Sequence, residues 1–473
     1  FFAAMGQVCG QPGREHDVRH LDYHAAFCHL HKTLVNTYPF TEHKRIDWAQ
    51  RFEEFEPKFK GLNASSALDM LRFGLLLREY TVTIPDDLVS IRMLDPATKA
   101  TMDNVEQKQL SGYLGFTAVN MPEGQVTVVY VQPESEVAAA GLKVGSQWVK
   151  LNKTTLKEAL AADTSFTHTQ DSGAGKGMLL DRIKLLAMVR GAIGHSVDLV
   201  FEDPDGELLQ LDGVKYAADS KADGSGTVTK RMQDARIIPN AALFDQTSTV
   251  RTTADGFGLL KIGRFGHVLG HEMPSRLRNL AEAPGLIIDL RGAVGGEEWS
   301  HDVAATCINA FNAAPWYYGT LEIMRLSGPG VDQAYGMEMD PAAERDSDER
   351  PWTKPIAILV DVSTRDAAEM FAMVLQAQKK ATVFGMEATA GSVGTGGVAG
   401  IAMPKGYTVH WPIGRFKDKR NRILLTTNHN DEGGLTPGHI VRLSPMQVVE
   451  YCNGKDLVLE RAVEWLKDQC EVK

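Results

Sequence analysis

"PIAILVDVSTRDAAEMF", residues Pro355 to Phe371, is an apolar strand pattern that runs into a short polar turn and then into a helix. Ile, Ala, Ile, Leu and Val in succession suit a strand buried on both faces. From Ala367 onward the apolar residues recur at helical intervals. Strand-to-helix turns of this kind are where many α/β hydrolytic enzymes mount a nucleophile. The residue at the start of this helix is Asp366. Two readings stand side by side. Asp is a favoured N-cap because its carboxylate accepts backbone N–H groups. It is also a chemical group held where the helix dipole favours negative charge.

Outward from this stretch, strands and helices alternate. "GFGLLKIGRF" reads as a strand, "PSRLRNLAEA" as a helix, "GLIIDLRG" as a buried strand, "HDVAATCINAF" as a helix and "ATVFGME" as a further strand. That alternation predicts an α/β layered core with parallel strands. "LVLERAVEWLKDQC" is an amphipathic terminal helix.

Upstream the pattern changes. "YHAAFCHLHKTLVNTYPF" and "ALDMLRFGLLLREY" carry helical spacing, with Pro39 and Pro85 as boundaries. From Gly112 the chain becomes strand-like. "QVTVVYVQP" alternates, and "SEVAAAGLKVGSQWVKLN" reads as a short helix, a turn and a strand. After a polar insert, "MLLDRIKLLAMVRGAIG" reads as a helix and "HSVDLVFEDPDGELLQL" as a hairpin turning at Asp205-Gly206. "AADSKADGSGTVTKRMQD" has linker composition. The expected division is a helical region over 1–104, a strand-rich domain over 105–215, a linker over 216–244 and the α/β core over 245–473.

The chain has 473 residues, 43% hydrophobic and 23% charged, the mix of a globular protein with more than one domain. A net charge of −10 argues against general nucleic-acid binding. No apolar run reaches the roughly 18 residues of a membrane span. The start, "FFAAMGQVCGQ", carries no initiator Met and reads as a processed or trimmed chain. Cys9, Cys28, Cys307, Cys452 and Cys470 are scattered, so no thiolate zinc site is expected, and their odd number leaves one thiol outside any intrachain disulfide.

Three stretches together resemble the C-terminal processing (tail-specific) serine protease family, including its tricorn-core relatives. "GLIIDLRGAVGG", Gly285–Gly296, resembles that family's strand and D-x-R-x-x-x-G-G turn. "VQPESEVAAAGLKVGSQWVKLN" is similar to its inserted PDZ domain, with "GYLGF" as the carboxylate loop. "TRDAAEMFAMVLQAQKKATVFG" resembles the nucleophile turn, helix and next strand. "YPFTEHKRIDW" and "GLTPGHIVRL" extend the resemblance toward both ends. The resemblance implies a fold of α/β (α+β) class: a crotonase/ClpP-like layered core, a PDZ-like domain and a helical N-terminal region. It also implies an exported, periplasmic or organelle-lumen compartment.

The resemblance puts Asp366 at the nucleophile's place, where the family carries Ser. In the branch with a Lys base, the matching stretch "MEATAGSVG" holds no Lys, and Ser392 falls near the expected position. In the branch with a His base, the matching "LLREYTVTIP" puts Tyr80 where His would stand. The late carboxylate of that branch would be Asp431 or Glu432. Gly295 and Gly296 keep the oxyanion turn, whose amides suit a carbonyl or carboxylate oxygen, or serve only the turn's backbone angles. In the PDZ-like stretch, Tyr113, Leu114, Gly115 and Phe116 would hold a peptide C-terminus by strand addition, or the domain is a packing insert.

Other candidates are weaker. His20 and His24 are four apart, a zinc-pair spacing without an accompanying signature, and surface histidines are the plainer reading. His267 and His271 are also four apart, with turn packing preferred. "DSGAGKGMLLD" imitates a phosphate loop but lacks Ser/Thr after Lys176. No cofactor and no metal are expected.

Three functional expectations follow. The first is a pseudoprotease that binds a peptide or protein C-terminus, or assembles with a protein partner or with itself. The second is a non-proteolytic enzyme, hydrolase or lyase in type, using Asp366 with Tyr80 as acid. The third is a serine peptidase with its nucleophile relocated to Ser363 or Ser392.

Overall fold

A computed structural model describes residues 16–63, 65–86, 88–93, 96, 111–121, 124–162, 184–185, 188–218, 248–295, 300–325, 330–341, 350–393, 398–430 and 432–471. Two compact units emerge, one from Phe1–Arg92, Leu243–Val441 and Val458–Lys473, the other from Met93–Ala242 and Arg442–Leu457.

In the first unit the N-terminal region is helical. Helices α1 (Tyr23–Thr37), α2 (Trp48–Lys60) and α3 (Ala67–Val82) start at Asp22, Asp47 and Ser66. Each of these side chains accepts a backbone N–H of its first turn, satisfying a donor that has no intrahelical partner. Tyr23, Phe27, Leu30 and Leu34 repeat at three and four residues and are buried. Phe27 stacks on Phe59 and Tyr23 on Phe73, both at 4.2 Å between centroids, which joins the three helices through aromatic contacts.

The second unit is built on an antiparallel sheet. Its strands are β1 (Phe116–Asn120), β2 (Val126–Val131), β3 (Gln147–Leu151), β4 (Ser196–Glu202) and β5 (Leu208–Lys215), in the order β5-β4-β3-β2-β1. The β4–β5 hairpin turns at Gly206, whose φ of +85° needs a residue without Cβ. Phe116, Trp148 and Phe201 meet edge to face in its core. Val119, Met121 and Val129 pack on Val448, Val449 and Cys452 of the helix Pro445–Cys452. That helix, grouped with the core by sequence order, therefore clusters with this unit.

The core of the first unit is a sheet of β6 (Thr249–Thr252), β7 (Gly258–Lys261), β8 (Leu286–Asp289), β9 (Ile356–Leu359), β10 (Thr382–Gly385) and β11 (His439–Ile440), in that order. β6–β7 is antiparallel and the other pairings are parallel. β8 and β9 are wholly buried, as their apolar runs predict, with Asp289 buried at the end of β8. Between the strands run α4 (His267–Arg278), α5 (Ser300–Asn309) and α6 (Ala367–Ala377). α4 begins seven residues before the sequence expectation of a start at Pro274, which lies inside it. His267 and His271 are accordingly exposed helix residues and not turn packing. A hairpin of Trp316–Met324 with Val331–Met339, joined by Gly414–Lys417, was not anticipated.

Gly296, Asp431, the stretch 171–181, most of the helix expected from Met178 and the linker beyond residue 218 lie outside the described residues. Among the described residues no helix is long and apolar enough to cross a membrane, and Cys28, Cys307, Cys452 and Cys470 form no disulfide.

Candidate active site

The parallel register pairs Asp289 at the end of β8 with Leu359 at the end of β9, so the turns after these strands are neighbours. The Arg365 N–H donates to the Ala293 carbonyl at 3.0 Å, and the Thr364 hydroxyl donates to the Leu290 carbonyl at 2.8 Å. Asp361 organises the second turn. Its Oδ1 accepts from the amides of Gly292, Ser363 and Thr364 and from the hydroxyl of Ser363. In the first turn Arg291 pairs with Asp289 at 2.8 Å. Burial would push the Asp289 carboxyl up, but Arg291 and then Lys261 outweigh it and hold it below its usual range.

These contacts present Asp366 in an uncommon backbone conformation, φ 57° and ψ −124°. Outside Gly such a conformation costs on the order of 1–3 kcal/mol and persists only where the surroundings enforce it. Asp366 is the N-cap of α6, and a capping box closes the helix start, with the Glu369 side chain accepting from the Asp366 N–H at 3.1 Å. The Asp366 carboxylate also reaches beyond its own helix. Oδ1 lies 2.8 Å from Nε2 of His301, and Oδ2 accepts from the Ser300 hydroxyl at 3.4 Å. Oδ2 also presses on Gly295, where a Cβ would sit 1.8 Å from it.

His301 is buried, and its Nδ1 lies 2.8 Å from the Tyr318 hydroxyl. A carboxylate only accepts, so Nε2 carries the proton toward Asp366, and Nδ1 accepts from the phenol when the ring is neutral. Burial, then the charges of Asp366 and Asp302, push the Tyr318 phenol well above its usual range, so it stays protonated. The Asp366 side chain is 19% exposed and that of His301 3%, so the carboxylate is the outer end of the chain of bonds.

Behind this group lies Glu369, fully buried. Its Oε1 accepts from the Thr389 hydroxyl at 2.5 Å and the Gly391 amide at 2.7 Å. Its Oε2 accepts from the amides of Ser392 at 3.0 Å and Asp366 at 3.1 Å. One side chain thus ties the Asp366 turn to the loop after β10. Burial raises its carboxyl to about 7, against the opposing pull of Thr389 and the three amides.

The other sequence candidates fall in different places. Tyr80 is fully buried on α3, its hydroxyl bonded to Nδ1 of His31 at 2.8 Å and its ring packed on Phe27 and Phe55. The expected pairing of Asp366 with Tyr80 is not the pairing formed, since the groups bonded to the Asp366 carboxylate are Ser300 and His301. Ser363 is buried with its hydroxyl given to Asp361. Ser392 is buried, and its hydroxyl has no hydrogen-bond partner among the described residues. Glu432 is exposed and bonded to Asn428 within its own loop.

In the second unit, Tyr113, Leu114 and Phe116 are buried in that unit's own core. The Leu114 amide donates to the Val189 carbonyl at 3.0 Å, so it is not available to a peptide carboxylate. Gly115 turns at φ +85° against Ser135. His24 bonds to Glu56 at 2.7 Å rather than pairing with His20. Among the described residues no group of three or more His, Cys, Asp or Glu is arranged to hold a metal ion.

Sequence reasoning missed His301, Ser300, Tyr318 and Glu369. One signal was present: "SHD" opens a mostly apolar, largely buried helix, and polar side chains in such a place need partners.

The model of Peptidase family S41 matches residues 256–437, a span that holds β8, β9, α6 and both turns of the site. The crystal structure of mature CPAF matches with a TM-score of 0.61 at 13% identity, over 94% of this chain and 96% of that one. The structure of mature CPAF complexed with lactacystin gives 0.57 at 13% identity, over 95% and 98%. At that identity the likeness is one of fold. No curated protein sequence matches. Residues 256–437, with the strand, turn and helix that carry Asp366, are similar to the Peptidase family S41 model.

Proposed function

We propose that this protein is a non-peptidolytic member of the S41 type, a pseudoprotease whose role is to bind a peptide or protein C-terminus. The observation that carries this is Asp366. It sits on a strained strand-to-helix turn of the kind that mounts a nucleophile, yet its side chain is a carboxylate tied down by His301 and Ser300. A carboxylate attacking a peptide carbonyl would form an anhydride, a poor route to hydrolysis. Its Oδ2 also lies on Gly295, in the turn whose amides would receive an oxyanion.

Neither relocated serine supports peptidase chemistry. The Ser363 hydroxyl is spent on Asp361, and Ser392 is buried.

The test is turnover of unstructured protein and of fluorogenic peptides with free C-termini by the wild type and Asp366→Ala. The reading expects no hydrolysis above the blank from either. Hydrolysis by the wild type that disappears in Asp366→Ala would overturn it.

A further inference from the structure

The Asp366 carboxylate is held as a bound ligand would be. Nε2–H of His301 reaches one oxygen at 2.8 Å, and the Ser300 hydroxyl reaches the other at 3.4 Å. The imidazole is fixed before any ligand arrives. Tyr318 holds its far nitrogen at 2.8 Å, and the Phe416 ring lies 4.8 Å from its centroid. Gly295 leaves the room that the second oxygen fills, because any Cβ there would collide with it. The occupant, by contrast, is held at a cost, since φ of 57° disfavours a residue with a side chain.

We propose that Ser300, His301 and the Gly295 turn form a carboxylate-binding pocket whose resident occupant is the chain's own Asp366 side chain, and that an external carboxylate takes its place when that side chain is absent or withdrawn. The inference rests on the pseudoprotease reading and extends it. The cleft is filled by an internal ligand, and the chemical class it accepts is a carboxylate, whether a small acid or a peptide C-terminus.

The direct test uses Asp366→Gly in the full chain. Gly adopts the positive φ without strain, so this variant vacates the pocket while easing the turn. Asp366→Ala is the second vacated variant, and circular dichroism verifies both folds. Acetate is titrated while the side-chain nitrogen signals of His301 are followed by NMR. The expected result is saturable binding to both vacated variants, at least about tenfold tighter than to the wild type, the value of one charge-assisted hydrogen bond. Adding His301→Phe to Asp366→Gly should remove that gain.

A tripeptide acid and its C-terminal amide separate the two ligand sources. Acid tighter than acetate, with no binding of the amide, assigns the pocket to a peptide terminus. Equal binding of acid and acetate assigns it to the carboxylate alone. Acetate binding that is absent from folded Asp366→Gly, or equal in the wild type, would overturn the proposal. Peptide hydrolysis by the wild type would instead overturn the pseudoprotease reading, so the two failures are distinguishable.

Discussion

Nε2 of His301 lies 2.8 Å from Oδ1 of Asp366, and the other nitrogen of the same ring lies 2.8 Å from the Tyr318 hydroxyl. The ring is held at both ends inside the protein, so each partner is left with a buried polar atom if the ring goes. His301→Leu should therefore destabilise the fold by about 2–3 kcal/mol, and Tyr318→Phe by about 1 kcal/mol. Urea denaturation midpoints check both. Equal and negligible effects would mean that water replaces the ring without loss.

Glu369 should make stability depend on pH. Its carboxyl is raised from its usual 4.5 to about 7 by burial, against four hydrogen-bond donors. The folded state therefore binds more protons than the unfolded chain between those values. The protonated group's contribution is fully present below 4.5 and is lost as pH rises through about 7, a change on the order of 3 kcal/mol. Glu369→Gln should abolish this slope. Denaturation midpoints of wild type and variant from pH 4 to 8.5 provide the comparison, and a pH-independent difference between them would refute the assignment.

Gly295 and Asp366 should be coupled. A Cβ at residue 295 would sit 1.8 Å from the Asp366 carboxylate. Gly295→Ala should cost about 1–3 kcal/mol in the wild type, and markedly less in Asp366→Gly, where nothing occupies that space. A double-mutant cycle by urea denaturation reads the coupling. Additive effects would show that the two residues do not share the pocket.

Asp361 should matter more than the serine it binds. Its Oδ1 collects four donors, so Asp361→Ala orphans several buried groups and should cost about 3 kcal/mol or more, against about 1 kcal/mol for Ser363→Ala. Thermal denaturation ranks them. A fluorophosphonate probe should label neither Ser363 nor Ser392 in the folded protein.

The parts of the fold legible in sequence were those with strong local periods. The strand Ile356–Leu359, its turn and the helix Ala367–Ala377 followed from an apolar run, polar residues and helical spacing. The hairpin Trp316–Met339 escaped because its second strand is mostly exposed, and its alternation shows only in the short run Tyr335, Met337 and Met339. At the site, Asp366 stood out because its turn has a recognisable local grammar. His301 did not, because its pairing crosses 65 residues of chain and depends on where α5 starts relative to the β9 turn. Tyr80 looked like a partner by position in the chain, but its helix turns it into the aromatic cluster of Phe27 and Phe55. Glu369 read as part of a helix face, and only the fold brings the loop 389–392 onto it.

The absence of peptide hydrolysis is the point on which the proposed function turns. The most direct measurement is hydrolysis of a fluorogenic peptide by purified wild type, Asp366→Ala and Asp366→Ser, side by side. The account predicts rates at the blank for wild type and Asp366→Ala. Turnover by the wild type that is lost in Asp366→Ala would contradict it.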